Sequence, residues 1–399
     1  MLFAGAVPQP PPRPEVPRDL DEQVRALRSS LELTDEEVES ARTMPQHLAG
    51  GEANPAWLAL RSHRLTGSVV GSCVRAAGRS RVENPYEGED GLLRSMLKWK
   101  VFTGNAACAW GTENEIMCEK AWIAQRLAPY GLDGADAALV LQAYEQELAS
   151  AGAEAVSIAL HGRAAAVNAR AVPLSRECRS TRLELSHPGI LPRGIVAMSP
   201  DGLCEHDGER FLLEWKSPYG KRALTKDELR AGGGIYPPQT FDQGTLPVPR
   251  YYYAQVQFGM KLFGLSSCWF GVWVPPRSSS CEALGPGLYS TVAGTVQTVR
   301  VLYDEPYALD MMRQIERFWT ERYAPLFVLK RAGWLRKGEI LLPSEERERG
   351  ERGGAREGGR AGGQKKRERG SAGAQRAPGD GAKRPKPLDL GSIRFFDLS

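Results

Sequence analysis

The chain has 399 residues, 42% of them hydrophobic, so it can bury a sizeable core in one large domain or two. Its formal net charge is +4. No apolar run reaches the roughly 18 residues of a membrane span, and no basic segment precedes an apolar one at the N-terminus, so neither a membrane protein nor a secreted one is expected. The seven cysteines form no C-x-x-C pair and the five histidines are scattered, which predicts free, mostly buried thiols and argues against a zinc site.

Helices are predicted along most of the first half of the chain. Residues 1–17 are Pro-rich and are expected to be disordered, and 18–54 are expected to form a helical N-terminal extension, with helix over 18–47. Thr34, before three acidic residues, is a good N-cap within it. Further helices are predicted over residues 55–79 (interrupted by a Gly/Ser loop), 105–128 (starting near Trp110) and 134–152.

The second half of the chain alternates strands and helices, which predicts an α/β fold. Residues 231–250 contain too many Gly and Pro residues for regular structure. From about residue 343 the composition changes to Glu, Arg, Gly and Ala, so 343–399 are expected to form a disordered, charged tail. Strands are predicted over residues 181–186, 194–198, 210–216, 267–275 and 296–302, and helices over 251–264 and 305–331.

The segment 199–216 gives the strongest indication of function. It reads SPDGLCEHDGERFLLEWK, in which a turn containing Asp201 precedes an apolar strand that ends in Glu214-Trp215-Lys216. Side chains two apart on a strand share a face, so Glu214 and Lys216 point to one side and their neighbours into a core. Two carboxylates and an ammonium at a strand end suit Mg²⁺-assisted hydrolysis of a phosphodiester. A Glu-x-Lys triplet that stands alone is more often part of a solvated strand face. The catalytic prediction therefore depends on the turn and the apolar strand that precede this one.

Three other segments offer polar side chains for the same chemistry. On the helix that opens with A-W-G-T-E-N-E, Glu115 could add a third carboxylate, although alone it is more typical of a helix surface. Arg61 and Ser68 flank a Gly turn and suit a terminal phosphate, or else belong to an amphipathic helix with an exposed arginine. In Y-Y-Y-A-Q-V-Q, Gln255 and Gln257 lie about 200° apart around a helix, so only one can face the site. Two of these three tyrosines are expected in the core.

In this order, the motifs resemble those of the viral-recombinase exonucleases, the family of phage lambda exonuclease, and more remotely those of the herpesvirus alkaline nucleases. The shared blocks lie within residues 55–275 and are W-x-x-L-R…T-x-S, A-W-G-x-x-x-E, S-P-D-G-L-C, L-E-x-K-x-P and Y-x-A-Q-V-Q. The resemblance implies a restriction-endonuclease-like, PD-(D/E)XK core over residues 55–342, with a mixed central sheet flanked by helices. It further implies two-metal hydrolysis of DNA, 5′→3′ from duplex ends, in recombination, repair or viral DNA processing.

The resemblance also assigns roles to single residues. Five side chains would act in catalysis: Glu115, Asp201, Glu214, Lys216 and Gln255. Two Mg²⁺ ions, for which Mn²⁺ would substitute, would be held by the side chains of Glu115, Asp201 and Glu214 and by the backbone carbonyl of Trp215. Lys216 would orient or deprotonate the attacking water. The 5′-phosphate of the DNA end would be held by Arg61, Ser68, Ser199 and Arg222.

The chain departs from the phage enzyme in several places. The segment between Glu115 and Asp201 is longer and includes a helical insertion near 130–175, and the N-terminal extension and charged tail have no counterpart. Insertions of this size leave the oligomeric state open. The active site is expected where strands 194–198 and 210–216 splay apart. Two other functions are compatible with the sequence: an endonuclease or RNA-degrading nuclease of the same fold, and a non-catalytic DNA-end-binding recombination protein.

The tail has features that suggest a location and a partner. Basic clusters at 365–369 and 383–386 resemble a bipartite nuclear import signal, or belong to a solvated tail of mixed charge. The nucleus is therefore the expected location, with the cytoplasm as the alternative. The Ile393–Leu398 segment restores hydrophobicity and could dock on a single-strand annealing or replication protein, or be an unused end.

Overall fold

The computed structural model describes most of the chain up to residue 346. Several predicted features lie outside the described residues: Arg222, residues 1–12, part of the helical insertion, both basic clusters and the Ile393–Leu398 segment. The described residues are 13–48, 51–100, 104–132, 134–151, 156–159, 167–168, 182–221, 223–231, 235, 239–241, 244–246, 248–277, 282–285 and 287–346.

The described helices are α1 Leu20–Ser29, α2 Asp35–Arg42, α3 Pro55–Arg61, α4 Gly67–Val70, α5 Glu89–Met96, α6 Ala106–Leu127, α7 Gly134–Ala151, α8 Lys226–Ala231, α9 Arg250–Phe263, α10 Glu305–Phe318 and α11 Ala324–Arg331. The helix predicted over 18–47 is divided because Thr34 is extended and starts a new helix. Its hydroxyl accepts the Glu37 N–H (3.2 Å), and the Glu37 carboxylate accepts the Thr34 N–H (2.8 Å), so the predicted cap is confirmed as a complete capping box.

The described strands are β1 Leu65–Thr66, β2 Val156–Ala159, β3 Val167–Asn168, β4 Arg182–Ser186, β5 Leu191–Arg193, β6 Val196–Met198, β7 Gly202–His206, β8 Glu209–Lys216, β9 Gln239–Phe241, β10 Gly244–Leu246, β11 Ser267–Val274, β12 Glu282–Gly285, β13 Leu288–Thr291 and β14 Gly294–Leu302. Nine of them form one sheet in the order β12-β13-β14-β11-β8-β7-β4-β2-β3. In this sheet β8 and β11 are parallel, and the other pairs are antiparallel. The α/β prediction of a mixed central sheet flanked by helices is confirmed.

The centre of the sheet is covered on both faces. The chain runs from β8 through α9 to β11, the type of crossover that a parallel pair requires. α9 packs on one face of this pair and α6 on the other. Leu213 and Trp215 join the buried cluster under α6, whereas Leu212 joins the cluster under α9. Gly271 on β11 leaves space for the Trp215 side chain, since a Cβ at position 271 would lie 2.6 Å from the indole ring. The alternation predicted for this strand is confirmed.

The strand predicted over 194–198 exists, but it does not border β8. β6 lies in a small sheet of order β1-β6-β5, where Leu65 pairs with Val196 in the parallel sense. Pro200 then ends this segment, and the chain enters β7, which pairs with β8 and is not among the predicted strands. The expectation that strands 194–198 and 210–216 splay apart around the site is therefore wrong.

Other boundaries largely agree with the sequence. α6, α7 and α9 occupy the segments predicted as helices, although α6 begins at Ala106 rather than near Trp110 because Asn105 accepts two N–H groups of its first turn. The final helix is interrupted by π-helical residues Trp319–Tyr323 between α10 and α11. The region 231–250 is not wholly irregular, since β9 and β10 pair in the antiparallel sense.

One expectation from composition, that of buried free thiols, is confirmed for four cysteines. Cys73, Cys118, Cys204 and Cys268 are buried thiols. Among the helices of the described part of the chain, none combines the length and apolar character needed to cross a lipid bilayer.

Candidate active site

Asp201 lies just before β7, beside the end of β8. In the antiparallel register of these strands, Gly202 is opposite Leu213. The Trp215 N–H donates to Asp201 Oδ2 over 2.5 Å, so the main chain of β8 holds this carboxylate. A short hydrogen bond from a backbone N–H fixes the direction of this carboxylate.

Glu214 is a buried carboxylate on the α9 side of the sheet. It has no solvent exposure, and its Oε1 accepts from Lys216 Nζ and from Gln255 Nε2, each at 2.5 Å. Lys216 Nζ is also 3.8 Å from Asp201 Oδ2, so one ammonium neutralises two carboxylates that would otherwise repel each other. The Tyr252 ring centroid lies 5.2 Å from the same Nζ, within the range of a cation–π interaction.

α9 turns one of its two glutamines toward this cluster. Gln255 contacts Glu214, whereas Gln257 donates to the Leu302 carbonyl and accepts the Asp304 N–H, both over 2.8 Å. The prediction that only one of the two amides can face the site is confirmed. The helical offset between them explains the difference.

Three adjoining clefts meet at Glu115 and Asp201. The tyrosine cleft passes Lys216 and is lined by Ser68, Gly71, Asn84, Tyr86, Ala107, Cys108, Gly111, Thr112, Glu115, Asp201, Trp215, Lys216, Ser217, Pro218, Tyr251, Tyr252 and Gln255. The arginine cleft is lined by Gln46, Arg61, Thr66, Gly67, Ser68, Glu115, Met198, Ser199, Pro200, Asp201 and Gln255. The histidine cleft is lined by Gln46, His47, Thr112, Glu115, Ile116, Glu119, Leu148, His187, Asp201 and Trp215.

The structure brings the described candidate residues to one region. Four of the predicted catalytic side chains line the tyrosine cleft: Glu115, Asp201, Lys216 and Gln255. The fifth, Glu214, is buried beneath them. Three of the predicted phosphate-binding side chains line the arginine cleft: Arg61, Ser68 and Ser199. Segments separated by more than a hundred residues in the sequence thus meet around one short stretch of β8.

The arginine cleft has donors suited to an anion. The Arg61 guanidinium stacks on the ring of a tryptophan from the same helix, with 4.4 Å to the centroid, and its Nη2 is 3.4 Å from Thr66 Oγ1. Thr66 Oγ1 and Ser68 Oγ are 3.5 Å apart. The Ser199 hydroxyl instead donates to the Gly189 carbonyl at 3.0 Å, so its proton is turned away from an anion. Thr66 is not among the predicted site residues.

Sequence reasoning also misses a buried carboxylate on the opposite face of β8. Glu119 Oε1 accepts from the Tyr144 hydroxyl at 2.5 Å, and Oε2 accepts from Trp215 Nε1 at 3.2 Å. His187 Nε2 lies 3.0 and 3.1 Å from the two oxygens. Burial alone would raise the pKa of Glu119, but the His187 charge and the three donors outweigh it, and the pKa lies below its ordinary value. Glu119 is one helical turn beyond Glu115, which was the available signal.

The pKa of His187 shifts in the opposite direction. Burial alone would lower it, but the Glu119 carboxylate outweighs that effect by its charge and its hydrogen bond, so the pKa of His187 is raised. The buried Glu119 carboxylate thus pairs with a half-buried histidine whose side chain is 27% exposed.

The carboxylates around Lys216 have the donor chemistry of a site for a hard divalent cation. Asp201, Glu214 and Glu115 offer the oxygen ligands that Mg²⁺ prefers. Within the described ranges, no three Asp, Glu, His or Cys side chains form a ready-made metal site, and Lys216 contacts Glu214. The Trp215 main chain, whose carbonyl is a predicted ligand, contacts Asp201 through its N–H. The three carboxylates are therefore the groups that fit a divalent cation by their chemistry.

Comparisons with known proteins find similarity to solved structures alone. No protein-family model matches the chain. No curated protein matches it. Among solved structures, the alkaline exonuclease LHK-Exo from Laribacter hongkongensis is 19% identical with a TM-score of 0.35, and the match covers 70% of this chain and 97% of that one.

Two further structures are similar at the same level. LHK-Exo in complex with dAMP is 17% identical with a TM-score of 0.34, covering 70% of this chain and 98% of that one. A phage-related exonuclease from Haemophilus somnus is 11% identical with a TM-score of 0.33, covering 67% and 96%. At these TM-scores the likenesses do not identify the reaction.

Proposed function

We propose that the chain is a Mg²⁺-dependent deoxyribonuclease that degrades double-stranded DNA from its ends in the 5′→3′ direction, on a restriction-endonuclease-like core. The observation that carries the proposal is the meeting of Asp201, Glu214 and Lys216 at the end of β8, with Nζ 2.5 Å from Glu214 and 3.8 Å from Asp201. Two carboxylates that share one ammonium beside an open cleft are costly to maintain, which favours a role in catalysis.

The side chains of the two clefts divide the work of hydrolysis. Arg61 and Ser68 bind the terminal 5′-phosphate through charge-assisted hydrogen bonds. Lys216 would orient the attacking water by donating to it as an ammonium, or take its proton as a neutral amine, and Gln255 holds Glu214 in place. Glu115, Asp201 and Glu214 would hold two Mg²⁺ ions, for which Mn²⁺ would substitute, and bound ions of this kind would supply positive charge to the phosphate. Because the phosphate-binding cleft adjoins the reacting groups at Asp201, the products are short pieces from the 5′ end.

The proposal is tested by digestion of linear duplex DNA that is labelled at either end, with and without a 5′-phosphate. Wild type is compared with Glu214→Gln and Lys216→Ala, in Mg²⁺, in Mn²⁺ and in EDTA. Lys226→Ala is the matched control, since it removes a lysine that pairs with Glu282 on the outermost strand of the sheet. We expect early loss of the 5′ label that requires a divalent cation, Glu214 and Lys216, and a preference for 5′-phosphorylated ends.

Other outcomes separate the alternatives. Nicking of closed circular DNA or cutting within RNA would replace the exonuclease with an endonuclease or an RNA-degrading enzyme. Binding to DNA ends without turnover in Mg²⁺ or Mn²⁺ would indicate a non-catalytic recombination protein. Absence of both cutting and binding would overturn the proposal.

The tail remains the basis of two smaller proposals. The basic clusters at 365–369 and 383–386 would direct the protein to the nucleus, and a reporter fused to residues 344–399 that stays cytoplasmic would contradict this. The Ile393–Leu398 segment would bind an annealing or replication protein. Deleting residues 393–399 should abolish that binding and leave DNA hydrolysis unchanged.

A further inference from the structure

The tyrosine cleft has two walls of very different character. One wall holds Tyr86, Tyr251 and Tyr252, whose rings follow one another with centroids 5.6 Å and 4.2 Å apart. The other wall is the first part of α6, where Ala107 and Gly111 present almost no side chain. A Cβ built on Gly111 would meet no atom within 4 Å, so the space between the walls is open.

The outer tyrosine is held in position by its own loop. The Asn84 N–H donates to the Gly71 carbonyl at 2.7 Å, and the Asn84 amide donates to Ser72 Oγ at 2.9 Å. Asn84 Oδ1 in turn accepts the Tyr86 N–H at 2.9 Å. Tyr86 is nevertheless 41% exposed, so a large aromatic ring is fixed at the mouth of the cleft with much of its surface in water. A pre-ordered ring loses little conformational freedom when a ligand stacks on it.

The position of the cleft limits what can occupy it. Its inner end reaches Lys216 and Asp201, and it shares Ser68 and Gln255 with the arginine cleft. The arginine cleft has a guanidinium for a phosphate, whereas the tyrosine cleft has three aromatic rings and the small residues Ala107 and Gly111. A group that enters it while its phosphate lies at Lys216 must be flat, apolar on its faces and joined to a phosphodiester.

We propose that the tyrosine cleft binds one unpaired nucleobase of the strand being cut, stacked on the exposed ring of Tyr86, with Tyr251 at about a right angle to that ring and Gly111 in the same cleft. This inference rests on the proposed nuclease function and gives the site a preference for substrate strands with an intact, unstacked base beside the scissile phosphate. Every base has an aromatic face, so the cleft accepts all four bases without reading their sequence.

The first experiment compares a substrate strand that has a base at this nucleotide with one that has an abasic residue there, scanned over the first three nucleotides. Stacking of a base on an aromatic side chain is worth about 1–3 kcal/mol, which corresponds to about 5- to 150-fold. We expect wild type to lose about this much kcat/KM on the abasic strand at one position. Tyr86→Ala and Tyr251→Ala should lose most of that discrimination, whereas Tyr86→Phe and Tyr251→Phe should keep it. Tyr130→Ala, at an exposed tyrosine beyond the end of α6, is the control and should behave as wild type.

A filled cleft provides an independent test. Gly111→Leu should fold, because leucine has a higher helix propensity than glycine and the new Cβ meets no atom within 4 Å. Its side chain should occupy the place of the base, so this variant should cut the abasic strand better than the intact one. Equal rates on both strands in wild type, or unchanged discrimination in Tyr251→Ala, would overturn the inference.

A binding measurement separates this inference from the nuclease proposal. In EDTA, an oligonucleotide with 2-aminopurine at the scanned position should show quenched fluorescence on binding to wild type and less quenching with Tyr251→Ala. If wild type cuts no substrate but shows this difference, the nuclease proposal fails and the base site stands. If wild type cuts DNA and the quenching is the same in both proteins, the base site fails and the nuclease proposal stands.

Discussion

Two buried glutamates lie on opposite faces of β8, and their surroundings differ. Glu119 receives hydrogen bonds from Tyr144 and Trp215 and pairs with His187, so each of its oxygens has a donor. Glu214 shares the Lys216 ammonium with Asp201, beside an open cleft. A carboxylate with a full set of donors stabilises the fold, whereas carboxylates that share one cation keep a cost that ligand binding can relieve. The comparison predicts that substitutions on the two faces have different consequences.

The largest effect is expected at Glu214. Glu214→Gln should lower the rate of DNA hydrolysis by at least about 100-fold, because it removes a negative ligand next to the reacting groups. The free energy of unfolding should change by less than about 1 kcal/mol or increase, since the repulsion between Glu214 and Asp201 is removed. Single-turnover rates and urea unfolding would measure both quantities. A stability loss as large as that of a Glu119 variant would contradict the comparison.

The second effect is expected on the opposite face. Glu119→Leu should lower the free energy of unfolding by about 3–5 kcal/mol, because Tyr144, Trp215 and the half-buried His187 all lose their acceptor. The hydrolysis rate per folded molecule should fall by less than about tenfold. Urea unfolding with the rate corrected for the folded fraction is the measurement. An activity loss as large as that of Glu214→Gln would place Glu119 in the reaction instead.

The sequence predicts those parts of the site that depend on one element at a time. The period of two in β8 places Glu214 and Lys216 on one face, and the period of the helix separates Gln255 from Gln257. Arg61 could be assigned to the site because the W-x-x-L-R motif that contains it precedes the other motifs in the expected order. The roles of these side chains remain predictions until activity is measured.

Pairings between distant segments are not available from such patterns. His187 and Glu119 are 68 positions apart, and neither stands in a recognisable motif. The sequence likewise does not show that strand 194–198 pairs with β1 rather than β8, because a short apolar strand could pair with either. β7 could have been found: Asp207 and Gly208 have φ values of 54° and 74°, as in the Asp-Gly turn that joins many hairpins, and the D-G pair is visible in the sequence.

Trp215 contacts both groups, since its N–H donates to Asp201 and its indole donates to Glu119. Substituting it tests how much the indole hydrogen bond contributes to stability. Trp215→Phe should cost about 2 kcal/mol of stability, because Glu119 loses one hydrogen bond to a charged group. In the Glu119→Leu background the same substitution should cost less, since the acceptor has already been removed. A double-mutant cycle by urea unfolding measures the coupling. Equal costs in both backgrounds would show that the indole acts by packing alone.

The smallest effect is a pH dependence that belongs to the Glu119 face of β8. The pKa of His187 in the folded protein is raised above the ordinary value of about 6.5, since the Glu119 carboxylate outweighs the effect of burial. The folded state then holds a proton that the unfolded state releases, so this stabilisation is complete below about pH 6.5 and is lost as pH rises through the folded pKa. His187→Gln cannot titrate, so its unfolding free energy should change less over that range. Urea unfolding between about pH 6 and pH 9 compares the two proteins. If wild type and His187→Gln show the same slope, Glu119 is held by its hydrogen bonds without a charged histidine, and the two faces of β8 differ in donors alone.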